Sequence, residues 1–86
     1  MKLTDKVAVI TGGATGIGGA TAELFAAEGA VALVLDYCET EGPATVERIR
    51  RAGGKAAFYR IDVRSEPEVA DVFRRIAEAY GRVDIL

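Results

Sequence analysis

The stretch that most constrains this 86-residue chain is Thr11-Gly12-Gly13-Ala14-Thr15-Gly16-Ile17-Gly18. It follows an apolar run, Val7-Ala8-Val9-Ile10, and leads into a segment where Ile17, Ala20, Thr21, Leu24 and Phe25 recur at helical spacing. Glycines allow a sharp turn and let the backbone approach a ligand with no Cβ in the way. The first turn of a helix then offers unpaired N–H groups and the positive end of its dipole to an anion. Strand, glycine loop and helix start, in that order, make a phosphate site.

The rest of the chain repeats the strand–helix alternation. Gly29 stands where a glycine would end the first helix. Val31-Ala32-Leu33-Val34-Leu35 reads as a second buried strand with Asp36 at its carboxyl end. Glu39 to Pro43 suits a loop or a first helical turn, and Pro43 to Ala52 a helix that carries Val46 and Ile49 inward and is closed by Gly53-Gly54. Ala56 to Ile61 is a less apolar third strand, expected nearer an edge and ended by Asp62-Val63. Ser65-Glu66-Pro67-Glu68 fits a capping box, and Val69, Val72, Phe73, Ile76 and Tyr80 stripe the helix that follows, with Gly81 ending it. Val83-Asp84-Ile85-Leu86 starts a fourth strand.

The order is βαβαβαβ, with helices long enough to cross between parallel strands. Right-handed crossovers put the first two helices on one face of the sheet. A doubly wound arrangement returns the fourth strand beside the first, giving order 3-2-1-4 with the third helix on the other face. The expected fold class is α/β. Residues 1–86 are expected to be the N-terminal part of a single domain, truncated in its fourth strand.

Composition narrows the chemistry. A net charge of −2 and a pI near 5.1 give no electrostatic footprint for nucleic acid. One cysteine, Cys38, excludes an internal disulfide, and with no histidine there is neither a Cys/His zinc cluster nor Ser-His or Cys-His catalysis. Met1-Lys2-Leu3-Thr4-Asp5 opens no signal peptide, and no apolar run reaches the roughly 18 residues of a membrane span. No membrane partner and a cytoplasmic location are expected.

The usual dinucleotide fingerprint, Gly-x-Gly-x-x-Gly, is absent, because Thr21 stands where its last glycine belongs. A phosphate loop of the Gly-Lys-Ser/Thr type is excluded by Gly18-Gly19-Ala20. The pattern that does match is Thr-Gly-x-x-x-Gly-x-Gly, and it resembles the short-chain dehydrogenase/reductase family of nicotinamide-dependent oxidoreductases, built on a Rossmann-type doubly wound parallel sheet. The resemblance implies a role for each residue of the loop. Gly12 makes the tight turn, Gly16 lets the backbone reach the pyrophosphate, and Gly18 packs the helix on the sheet. Thr15 and Ile17 line the cofactor through backbone N–H groups.

Asp36, 18 residues past Gly18, is placed to accept hydrogen bonds from the adenosine ribose and to repel a 2′-phosphate. Neither Thr15 nor Tyr37 is basic, so the cofactor expected is NAD rather than NADP. Asp62-Val63 matches the family's Asp-Val/Leu pair, whose acid faces the adenine amino group. Val83 to Leu86 looks like the strand that leads into the family's Asn-Asn-Ala-Gly segment.

The family's downstream Asn, Ser and Tyr-x-x-x-Lys have no counterpart. The sequence has no asparagine, its one serine, Ser65, is explained as a helix cap, and no tyrosine has a lysine four residues on. No catalytic residue and no metal ligand is therefore assigned. The chain is expected to carry the adenosine and pyrophosphate half of an NAD site and to be inactive alone. The complete protein is expected to be a homo-oligomer acting on a small alcohol or carbonyl substrate. Two alternatives stay open: a stand-alone nucleotide-binding module, and a Rossmann-like binder of another adenosine ligand such as a methyl donor.

Overall fold

The computed structural model describes residues 3–12, 16–62 and 64–84. The elements run β1 (Val7–Thr11), α1 (Gly16–Ala27), β2 (Val31–Asp36), α2 (Glu41–Arg51), β3 (Lys55–Arg60) and α3 (Glu66–Tyr80). The strands form one parallel sheet in the order β1-β2-β3, with Val7 opposite Val31 and Val31 opposite Lys55. The less apolar β3 lies at an edge, as its composition implies.

Alternation inside the unbroken apolar runs sorts the core into two layers. Ala8, Ile10, Ala32, Val34 and Ala56 meet Ala22 and Ala26 of α1 and Val46 and Ile49 of α2. Val7, Val9, Leu33 and Leu35 meet Ile61 together with Val72 and Ile76 of α3. The first two helices thus cover one face and the third the other, the arrangement right-handed crossovers require. No helix among the described residues is long and apolar enough to cross a membrane.

Helix ends are set by local chemistry. Helix α1 begins at Gly16, within the glycine pattern itself. It ends in a Schellman motif, with the Gly29 N–H donating to the Ala26 carbonyl and the Ala30 N–H to that of Phe25. Gly29 takes φ +98°, and a Cβ there would lie 2.9 Å from the Thr4 Cα, so the N-terminal segment fits only over a glycine. The same pair of bonds ends α2 at Gly53-Gly54. At α3 the Ser65 hydroxyl accepts from the Glu68 N–H at 3.4 Å. Only this half of the expected capping box forms, because the Ser65 N–H donates instead to the Asp62 carbonyl.

The fourth strand is not present as such among the described residues: Val83 and Asp84 are irregular, and Ile85 and Leu86 lie outside them. Lys6 turns its carbonyl toward Val31 of β2, so the polar groups of Val7 point to the opposite edge of β1. There the Asp84 N–H donates to the Val7 carbonyl at 2.9 Å.

Candidate functional site

The carboxyl ends of the three strands open into a cleft of about 340 Å³ lined by Gly12, Leu35, Asp36, Tyr37, Ile61, Asp62 and Arg64. A second cleft, about 360 Å³, lies between α1 and α2 and reaches Thr4, Gly29, Gly53 and Lys55, at the amino ends of the strands and away from the glycine loop. In open parallel sheets ligands bind at the carboxyl ends, so the first cleft is the candidate.

At its base, Gly12 follows β1 with φ +68° and donates its N–H to the Leu35 carbonyl at 2.8 Å. Gly16 opens α1 with φ +55°. A Cβ on either would meet nothing within 4 Å among the described residues. Backbone conformation therefore demands glycine at both. Ile17 is 88% exposed in the first turn of α1, and Gly18 is half-buried. Gly19, which the sequence pattern does not single out, is the glycine that α1 buries. Thr15 lies outside the described residues.

Asp36 ends β2 half-buried, and its Oδ1 accepts the Cys38 N–H at 3.0 Å. Its carbonyl accepts the Ile61 N–H at 3.0 Å, which ties the end of β2 to the segment carrying Asp62. Tyr37 is exposed at the cleft, and the Arg60 guanidinium lies 4.7 Å from its ring centre while Arg60 Nε pairs with Glu39 Oε1 at 3.2 Å. Cys38 is half-buried, and its Sγ accepts the Glu41 N–H at 3.4 Å where α2 begins.

Beyond β3, Asp62 is gripped by Arg64. Arg64 Nε lies 3.1 Å from Asp62 Oδ1, an Arg64 terminal nitrogen 3.1 Å from Oδ2, and the Arg64 backbone N–H 3.0 Å from Oδ1. The guanidinium, and after it the amide, hold the Asp62 carboxyl below the usual carboxylate range. Arg64 was not readable as a site residue. Its only sequence signal is adjacency to Asp62-Val63, and Val63 itself lies outside the described residues. The structure brings Gly12, Asp36 and Asp62 to one cleft, with Gly16 and Ile17 at the start of the helix that follows the glycine loop.

The family model for short chain dehydrogenase matches residues 6–86. The chain belongs to the short-chain dehydrogenase family. It is 46% identical over 85 residues to the uncharacterized oxidoreductase YxbG of Bacillus subtilis, covering 99% of this chain and 31% of that protein. It is 42% identical over 85 residues to tropinone reductase-like 2 of Erythroxylum coca, covering 99% of this chain and 30% of that one. The chain thus spans about a third of the length of these relatives. A shorter relative, the short-chain dehydrogenase/reductase homolog YusS of Bacillus subtilis, is 39% identical over 87 residues, covering 100% of this chain and 80% of that protein.

Among solved structures, a metagenomic short-chain oxidoreductase in complex with NADP superposes with a TM-score of 0.97 at 30% identity, over 100% of this chain and 39% of that one. The hydroxysteroid dehydrogenase from Escherichia coli gives 0.94 at 36% identity, over 99% of this chain and 36% of that one. The architecture is the N-terminal, Rossmann-type portion of this family, whose members are oxidoreductases that bind nicotinamide cofactors.

Proposed function

We propose that this chain binds the adenosine diphosphate half of NAD for an oxidoreductase that moves hydride between NAD(H) and an alcohol or carbonyl substrate. The observation that carries this reading is the pair of left-handed glycines, Gly12 and Gly16, at the junction of β1 and α1, with the Asp36 carboxylate at the end of the neighbouring strand. The open Cβ directions of Gly12 and Gly16 support a pyrophosphate against the first turn of α1, and the sequence pattern adds Thr15, Ile17 and Gly18 to the residues assigned to hold it. Asp36 is within one strand spacing of the glycine junction and offers acceptors to a ribose diol. Asp62, with Val63, takes the base.

The same carboxylate favours NAD. A 2′-phosphate would bring about two negative charges against Asp36, and the two arginines near the cleft are each engaged by a carboxylate, Arg60 by Glu39 and Arg64 by Asp62. The neighbour solved with NADP shows that the fold accommodates that cofactor in another sequence. Hydride transfer itself is assigned to residues this sequence does not contain, since it has neither Asn nor a Tyr-x-x-x-Lys, and Ser65 caps α3. On this reading the complete enzyme is a cytoplasmic homo-oligomer.

A second reading, a nucleotide-binding module without catalysis, is favoured by the relative YusS, of which this chain covers 80%. Calorimetric titration with NAD and NADP tests the cofactor, with NAD expected to bind about tenfold tighter and Asp36→Ala to erase the difference. Equal or tighter NADP binding by the unaltered chain overturns the NAD assignment. NAD-dependent alcohol oxidation by the 86-residue chain alone would overturn both the inactive-half and the module readings.

A further inference from the structure

The strand order lays out a nucleotide across the cleft. The glycine loop follows β1, Asp36 closes β2, and Asp62 follows β3. Neighbouring strands are about 4.8 Å apart, so the ends of β1 and β3 are separated by roughly 10 Å, the scale of a phosphate–ribose–purine unit. With phosphates at the loop and ribose at Asp36, the base arrives at Asp62 and Arg64.

A bare carboxylate only accepts hydrogen bonds, so it takes a purine that presents an amino group and rejects one that presents an oxo group. Asp62 is not bare. Both of its oxygens are held by the Arg64 guanidinium. The arginine side chain is 85% exposed and carries five N–H donors, of which these two bonds use two. The rest are available beside the carboxylate, within the same cleft wall.

We infer that Arg64 determines base selectivity in this cleft. By occupying Asp62 and adding donors next to it, Arg64 weakens the preference for a 6-amino purine over a 6-oxo one. The inference rests on reading the cleft as a dinucleotide site. It assigns Arg64 a role in setting what the Asp62 carboxylate offers the base, distinct from any role in holding the fold. The main-chain bond from the Arg64 N–H to Asp62 Oδ1 survives side-chain removal, so Asp62 keeps its place in an Arg64→Ala variant.

The test compares binding of NAD with that of its 6-oxo analogue, nicotinamide hypoxanthine dinucleotide, to the full 86-residue chain. The ratio of the two Kd values cancels any general change in attraction for the shared pyrophosphate. An exposed ion pair is weak, so the expected rise in the NAD preference for Arg64→Ala is about threefold. Arg64→Lys, which keeps the charge and loses the two-pronged grip, should fall between. Asp62→Asn, whose amide donates as well as accepts, should bring the ratio to about one. A ratio unmoved or lowered by Arg64→Ala, in a variant whose circular-dichroism melt matches the parent, overturns the inference while the cofactor reading stands. Failure of the unaltered chain to bind either dinucleotide overturns the cofactor reading, and the inference with it.

Discussion

Asp84 holds both polar groups of Val7. Its backbone N–H donates to the Val7 carbonyl at 2.9 Å, and its side-chain Oδ2 accepts the Val7 N–H at 2.8 Å, across 77 residues of sequence. Arg82 pairs with the other carboxylate oxygen. An aspartate here does for one residue what a full strand does for a whole edge: it satisfies the start of β1 on the side away from β2.

This grip makes stability depend on acid. The Arg82 guanidinium, and then the Val7 amide, hold the Asp84 carboxyl below its ordinary value of 3.8. A carboxylate with a lowered folded pKa contributes stability that is complete above the unfolded value and is lost as pH falls through the folded one. Asp84→Ala should therefore melt below the parent by a constant margin from about pH 7 to pH 5, and the margin should shrink below about pH 4. Thermal melts at stepped pH check this, and a margin that persists unchanged at about pH 2 contradicts it.

Two helix-end glycines separate conformational cost from steric cost. Gly53 has φ +89° and open space at the Cβ position, whereas Gly29 has φ +98° and the Thr4 backbone 2.9 Å away. Gly53→Ala should cost about 1 kcal/mol for the left-handed backbone alone. Gly29→Ala should cost at least about 2 kcal/mol, because Thr4 must also move. Urea denaturation of the two variants measures the difference, and equal losses refute the role of Thr4.

Leu33 is fully buried against the α3 layer, while Leu24 on α1 is 62% exposed. Leu33→Ala should lose about 2–5 kcal/mol. Leu24→Ala should stay within about 0.5 kcal/mol. A substantial loss at Leu24 would mean that the outer face of α1 is covered in solution, and sedimentation at several concentrations would then identify self-association.

Ser65→Ala should remove about 1 kcal/mol through the lost acceptor for the Glu68 N–H. Ser65→Asp should restore most of it, since aspartate caps as well and its charge suits the helix N-terminus. Helical circular dichroism during chemical unfolding reports both variants.

Much of this architecture is legible in one dimension. The apolar runs Val7–Ile10 and Val31–Leu35 form the two most deeply buried strands, the weaker Ala56–Ile61 run feeds the edge strand β3, and Gly29, Gly53 and Gly81 mark three helix ends. The spacing from Gly18 singles out Asp36 and the family resemblance singles out Asp62, and the cleft brings both together with Gly12. The start of α1 is not legible in this way, because glycines carry little helix signal and nothing in composition says that Gly16 enters the helix.

What the sequence alone determined is whatever repeats along the chain: the strand and helix periods, the helix stops, the glycine loop, and from these the parallel sheet and the family. Only tertiary structure decided the contacts that join distant positions at unrelated spacings. Arg60 lies against Tyr37 and Glu39, Phe58 packs where a Cβ on Gly42 would stand, and Asp84 reaches Val7. Periodicity specifies which face of an element is buried. Which side chain on that face meets which partner depends on rotamers and on the register of elements packed together, and those exist only once the chain has folded.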